Sequence, residues 1–141
     1  MPSYLRMHGM RNILISIIVL GLLGLVSCGD SFESVMQDQA ELVDESVQIL
    51  KDLNNESLTI EEAVGKLSDL EEENRALVGR MEALVKEKGF DAMQEIAEVA
   101  TSHAEDWQQS LVELQQEFSK LQKSGKLTSE LSQAISSIRM R

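Results

Sequence analysis

From residue 30 onward, apolar side chains recur at intervals of three and four, the spacing that lines one face of an α-helix. The first run carries Phe32, Val35/Met36, Leu42/Val43, Ile49/Leu50 and Leu53, and stops at Asn54-Asn55. It predicts a helix over 31–54, begun by Asp30 or Ser31 with Glu33 completing a capping pattern. The second predicted helix, 60–88, has the clearest start: Thr59 caps it and Glu62 answers three residues later. Its stripe is Ile60, Ala63/Val64, Leu67, Leu70, Leu77/Val78, Met81 and Leu84/Val85. Lys86 and Lys88 suit the negative end of its dipole, and Gly89 is placed to end it.

A third helix is predicted over 92–123, with Asp91 as its cap and Gln94 as the answering side chain. It carries Met93, Ile96/Ala97, Ala100, His103/Ala104, Trp107, Leu111, Leu114, Phe118 and Leu121, and Ser124-Gly125 ends it. A short fourth helix, 128–139, presents Leu131, Ala134/Ile135 and Ile138. No proline follows Pro2 and no stretch alternates with period two, so nothing supports strands. The expected fold is all-α: an antiparallel up-down bundle of three long helices plus a short C-terminal one. The breaks at Asn54-Asn55, Gly89 and Ser124-Gly125 argue against one long intermolecular coiled coil.

Residues 1–28 follow a different pattern. Arg6, His8 and Arg11 give a basic start, with Met1, Met7 and Met10 as alternative initiators. Ile13 to Val26 is an uncharged run, about 21 Å as a helix against a bilayer core of about 30 Å. It is short for a membrane span but fits the apolar region of a secretory signal. It ends Leu25-Val26-Ser27-Cys28, followed by Gly29-Asp30.

Here the chain resembles bacterial lipoprotein precursors, whose lipobox places an aliphatic residue, a short spacer and a small residue before an obligatory cysteine. The resemblance covers about a fifth of the chain. It implies cleavage before Cys28, a diacylglycerol on the thiol and an N-acyl chain on the new terminus. Residues 1–27 would then be a signal peptide, and 28–141 the mature acylated domain of 114 residues. Gly29, rather than Asp, beside the cysteine implies an outer membrane address facing the periplasm in a Gram-negative cell. The alternative for Cys28 is a thiol simply buried near an anchor helix.

Composition sharpens this picture. The single cysteine excludes a disulfide scaffold. With 13 Lys and Arg against 24 Asp and Glu, the chain carries −11, which argues against nucleic acid as a partner. The charge is polarised: residues 28–118 hold −17, whereas 119–141 hold +4, with Lys120, Lys123 and Lys126 at its start. These lysines form a candidate contact for an envelope protein or an anionic cell-wall polymer; otherwise they complement helix ends and acidic neighbours.

No residue pattern points to catalysis or a resident cofactor. No Gly-x-Ser-x-Gly elbow or phosphate-binding glycine loop is present. After cleavage His103 is the only histidine, without the Glu-x-x-His pairing of di-iron bundles; a carboxylate-paired His is expected. Asn74 sits where the second stripe calls for an aliphatic residue, and Trp107 is expected in the core. The functional expectation is a non-enzymatic, membrane-anchored envelope lipoprotein acting through protein contacts. Two alternatives stand beside it: a self-associating spacer of the murein-lipoprotein kind, and a carrier of an apolar ligand within the bundle. Against the spacer, Arg139-Met140-Arg141 lacks the C-terminal lysine used in that family for cell-wall linkage.

Overall fold

The computed structural model describes residues 29–138. The whole signal segment, including Leu25, Val26, Ser27 and Cys28, therefore lies outside the described residues, as does the predicted helix end at 139. Residues Phe32–Arg141 form one compact unit. It is all-α: α1 spans Phe32–Asn54, α2 Ile60–Lys88, α3 Ala92–Ser102, α4 Ala104–Ser124 and α5 Ser129–Ile138. A 3-10 turn, Gly89–Asp91, joins α2 to α3.

Local chemistry explains most boundaries. Thr59 and Glu62 form the reciprocal capping box: the Thr59 hydroxyl accepts from the Glu62 amide, and the Glu62 carboxylate accepts from the Thr59 amide. At the other end of the sequence, α4 closes with a Schellman motif. The Gly125 amide donates to the Gln122 carbonyl and the Lys126 amide to that of Leu121, with Gly125 at φ 73°. The end of α1 has the same pattern with a less suitable residue: Glu56 holds the left-handed position at φ 62°. There Glu56 and Ser57 amides donate to Leu53 and Asp52 carbonyls.

Two expectations need correction. The predicted single helix 92–123 is two helices, broken at His103, whose backbone leaves helical geometry at φ −109°, ψ 5°. Just before it, Thr101 and Ser102 hydroxyls donate to the Ala97 and Val99 carbonyls, the type of side-chain competition that bends helices. Asp91 does not cap α3; it sits inside the 3-10 turn in right-handed conformation and its side chain makes no capping bond. Correspondingly Ala92 is the buried residue at this start, whereas Met93, assigned to the stripe, is 72% exposed.

Partner contacts fix the directions. Ser110 donates to Asp44, Lys51 to Glu113, and Asn54 to Glu117, so residue numbers on α1 and α4 rise together and these helices run parallel. Arg80 reaches back to Asp38, placing α2 antiparallel to α1. Lys126 meets Glu56 beside the first turn, and from there α5 returns alongside α2. The helix α1 is therefore central, packed by α2 on one side and α4 on the other. This is why Ser46 and Val47, which lie off its predicted stripe, are buried as well. The outer helices α4 and α5 do not meet: no Cα of one comes within 8 Å of the other. Among the described residues, no helix is long and apolar enough to cross a membrane.

Candidate functional site: an apolar groove

The space left between α4 and α5 is a groove of about 470 Å³. Its floor is α1, through Met36, Ala40, Leu42, Val43, Ser46 and Leu50. One wall is α4, with Trp107, Ser110, Leu111 and Leu114; the other combines Leu67 and Asn74 of α2 with Ile135 and Ile138 of α5. The volume falls in the range of small-molecule pockets, about 300–1,000 Å³, and the lining is of the apolar kind such pockets use.

The groove follows from sequence spacing. Leu111 and Leu114 continue the stripe of α4, but the ten-residue α5 is too short and too far away to cover Leu111, which remains 52% exposed. Four polar side chains line the groove, Gln39, Ser46, Asn74 and Ser110, and the two serines are bonded within the protein. Ser46 donates to the Leu42 carbonyl, and Ser110 to Asp44 outside the groove. Asn74 is half-buried in the wall, so its amide breaks an otherwise aliphatic surface. Among the described residues, no Lys, Arg, Asp or Glu lines the groove.

At the end nearest Phe32, Trp107 is half-buried and stacks on His103, with ring centroids 6.0 Å apart and planes 21° from parallel. Trp107 is thus a groove wall rather than the core residue its position on the stripe predicts. His103 lies 3.9 Å from a Glu33 carboxylate oxygen, so its acidic neighbour comes from α1. Lys88 sits over the Phe32 ring, 5.7 Å from its centroid, and also bonds to Glu95, tying α2 to α3. Among the described residues, no three metal-ligating side chains gather in one place.

The basic positions lie at the opposite end. Lys120 donates to Glu117 and Lys126 to Glu56, so two of the three candidate lysines are held by acids; Lys123 is exposed beside Lys120. Glu117 is the one buried charged residue described, 5% exposed, and joins the two parallel helices. Burial pushes its carboxyl upward, but hydrogen bonds from Lys120 and Asn54, with the charges of Lys120 and Lys51, more than offset this and hold it below the usual range. Half-exposed Lys51 and Glu113 stabilise each other's charged forms, the lysine shifted up and the carboxylate down, chiefly through their mutual hydrogen bond.

The sequence marked Trp107, Leu111 and Asn74 as helix-stripe positions but contained no signal that they share a groove. That depends on how far α5 extends and on which flank of α1 it lies. Such a constellation defines a class: an all-α bundle with an open, largely apolar lane. Compared with protein-family models, with curated proteins and with solved structures, the chain matches none.

Proposed function

We propose that the chain is a bacterial cell-envelope lipoprotein, anchored through acylated Cys28, whose helical unit works by non-covalent binding rather than catalysis. Support for the anchor is the Leu25-Val26-Ser27-Cys28 motif after a short apolar run. Several acyl chains, each contributing about 0.8 kcal/mol per buried methylene, hold such a protein on its membrane. Support for binding is the groove itself: a largely apolar concavity that supplies contact area for an apolar ligand. Its partners are the membrane, through the lipid, and whatever occupies the groove. No cofactor is assigned beyond the covalent acyl groups, and the address is the outer membrane facing the periplasm.

The groove favours the apolar-ligand reading over a self-associating spacer. The helices bury their stripes on one another within a single chain, leaving a lane about half as long as α2 instead of a continuous seam. The lysine cluster offers a second contact, through exposed Lys123. Labelled palmitate incorporation into wild type and Cys28→Ser tests the anchor. Label in wild type alone is the expected result; equal labelling of both overturns it. Chemical cross-linking in intact cells, before and after Lys120, Lys123 and Lys126 are replaced by Gln, tests the basic end. Retention of every cross-linked partner removes those lysines from the reading.

A further inference from the structure

We infer that the groove holds one extended acyl chain of a membrane lipid. This deepens the binding role proposed above, and its source argument rests on the Cys28 anchor. The first argument is shape. The α1 floor runs from Met36 to Leu50, 14 residues apart and so about 21 Å along the helix. Spread over that length, 470 Å³ gives a mean section of about 22 Å². That slot is much longer than it is wide, a shape that suits a linear chain. A bilayer core of about 30 Å contains two opposed leaflets, so one acyl chain is about 15 Å long. The groove accommodates it lengthwise.

The second argument is chemistry. A free fatty acid would bring a carboxylate, and among the described residues no cation lines the groove to receive it. A lipid tail needs no such partner, because its headgroup stays in water while the methylenes enter. A partner helix, about 10 Å across with its side chains, would need more width. The third argument is supply. Met36 lies one turn inside α1, and only three residues separate Cys28 from Phe32. At no more than about 3.6 Å per residue, the tether keeps Phe32 within about 14 Å of the acylated residue. The near end of the groove is thereby held beside a bilayer, the densest source of acyl chains available to it.

The test uses the full acylated chain, equilibrated with phosphatidylethanolamine vesicles in which a fraction of the lipid carries tail bromines. The protein is then extracted in mild detergent. Native mass spectrometry distinguishes a non-covalent lipid, which dissociates on activation, from the covalent acyl groups. The only tryptophan, Trp107, lies in the groove wall, and bromine quenching of its fluorescence reports tail occupancy there. One dissociable lipid per chain, with quenched Trp107, is expected. Leu111→Glu, at a position 52% exposed and therefore tolerant of change, places a carboxylate in the lane. It should reduce both signals by about tenfold or more, since burying that charge against hydrocarbon is costly. Val112→Glu, 45% exposed and outside the groove, should retain both.

Several results overturn the inference: no dissociable lipid, a lipid retained by Leu111→Glu, or quenching without an adduct. A groove filled by the protein's own Cys28 acyl chain, or by a partner helix, would appear as no dissociable lipid. If palmitate labelling fails while the adduct and its sensitivity to Leu111→Glu persist, the anchor reading falls and the lipid-tail site stands.

Discussion

Glu117 offers the sharpest test of how this bundle is held together. Its carboxylate, 5% exposed, accepts from Asn54 Nδ2 at 2.8 Å and from Lys120 Nζ at 2.6 Å. Replacement by Gln keeps an acceptor for Asn54 but converts a charge-assisted bond, about 1.5–3 kcal/mol, into a neutral one of about 1 kcal/mol. Lys120 is 61% exposed, so losing its ion pair adds little. Glu117→Gln should therefore cost about 1 kcal/mol at neutral pH. Glu117→Ala should cost about 3 kcal/mol, because the whole charge-assisted bond, about 1.5–3 kcal/mol, is lost together with one buried methylene at about 0.8 kcal/mol. Asn54 Nδ2 retains the Glu117 backbone carbonyl at 3.1 Å, which prevents a larger loss. The sign of the pH effect follows from the depressed carboxyl. Its contribution is complete above the ordinary value of 4.5 and disappears as pH falls through the lower folded-state value. Urea unfolding of wild type and Glu117→Gln, followed by far-UV circular dichroism, should show a gap at neutral pH that narrows as the pH is lowered below 4.5. A gap that keeps its width would refute the assignment of a stabilising, ionised Glu117.

Other consequences are local. Gly125→Ala should cost about 1–2 kcal/mol, entirely from the left-handed backbone, since a Cβ there meets no atom within 4 Å; a smaller loss on thermal melting would disprove the conformational account. The matching position after α1 is Glu56, and Glu56→Gly should raise stability by about 1 kcal/mol because its ion pair is 81% exposed on the Glu56 side. Thr59→Ala should cost about 1 kcal/mol by opening the capping box, and hydrogen exchange should rise first at the start of α2. Asn74→Leu should stabilise the unit by about 1 kcal/mol by making the groove wall continuous, and a lower melting temperature would show that the amide has a structural partner instead.

Local features were legible in the sequence where the physics is local. The α2 boundaries, 60–88, follow from a capping box and a C-terminal glycine, both contained within a few residues, and the structure has the same range. The His103 break is not legible in the sequence, because it leaves the apolar spacing on either side intact. Periodicity continued through it undisturbed. Burial of Ser46 and Val47 was missed for a different reason: one stripe per helix is the expectation for an outer helix, and α1 is packed on two sides. Met93 fails in the opposite sense. It has the right spacing, but the 3-10 turn rotates α3 so that Ala92 faces inward.

The groove arises from the same central position of α1. With α2 and α4 on its two flanks, closure needs a further helix bridging α4 and α2, and α5 supplies only ten residues, about 15 Å, against about 43 Å for α2. The uncovered lane leaves Leu111 and Trp107 partly in water, which weakens a unit already small for a single core. Binding of a hydrocarbon to the folded state alone offsets that loss by mass action, by about 2.7 kcal/mol at a hundredfold excess over Kd. For a unit of this size, that corresponds to a melting shift of several degrees. Groove occupancy and fold stability are therefore one coupled quantity. Delipidated wild type should melt below the lipid-loaded protein, whereas Leu111→Glu should melt at the same temperature in both preparations. A lipid-dependent shift of equal size in the variant would place the stabilising lipid elsewhere and separate the groove from the energetics of the fold.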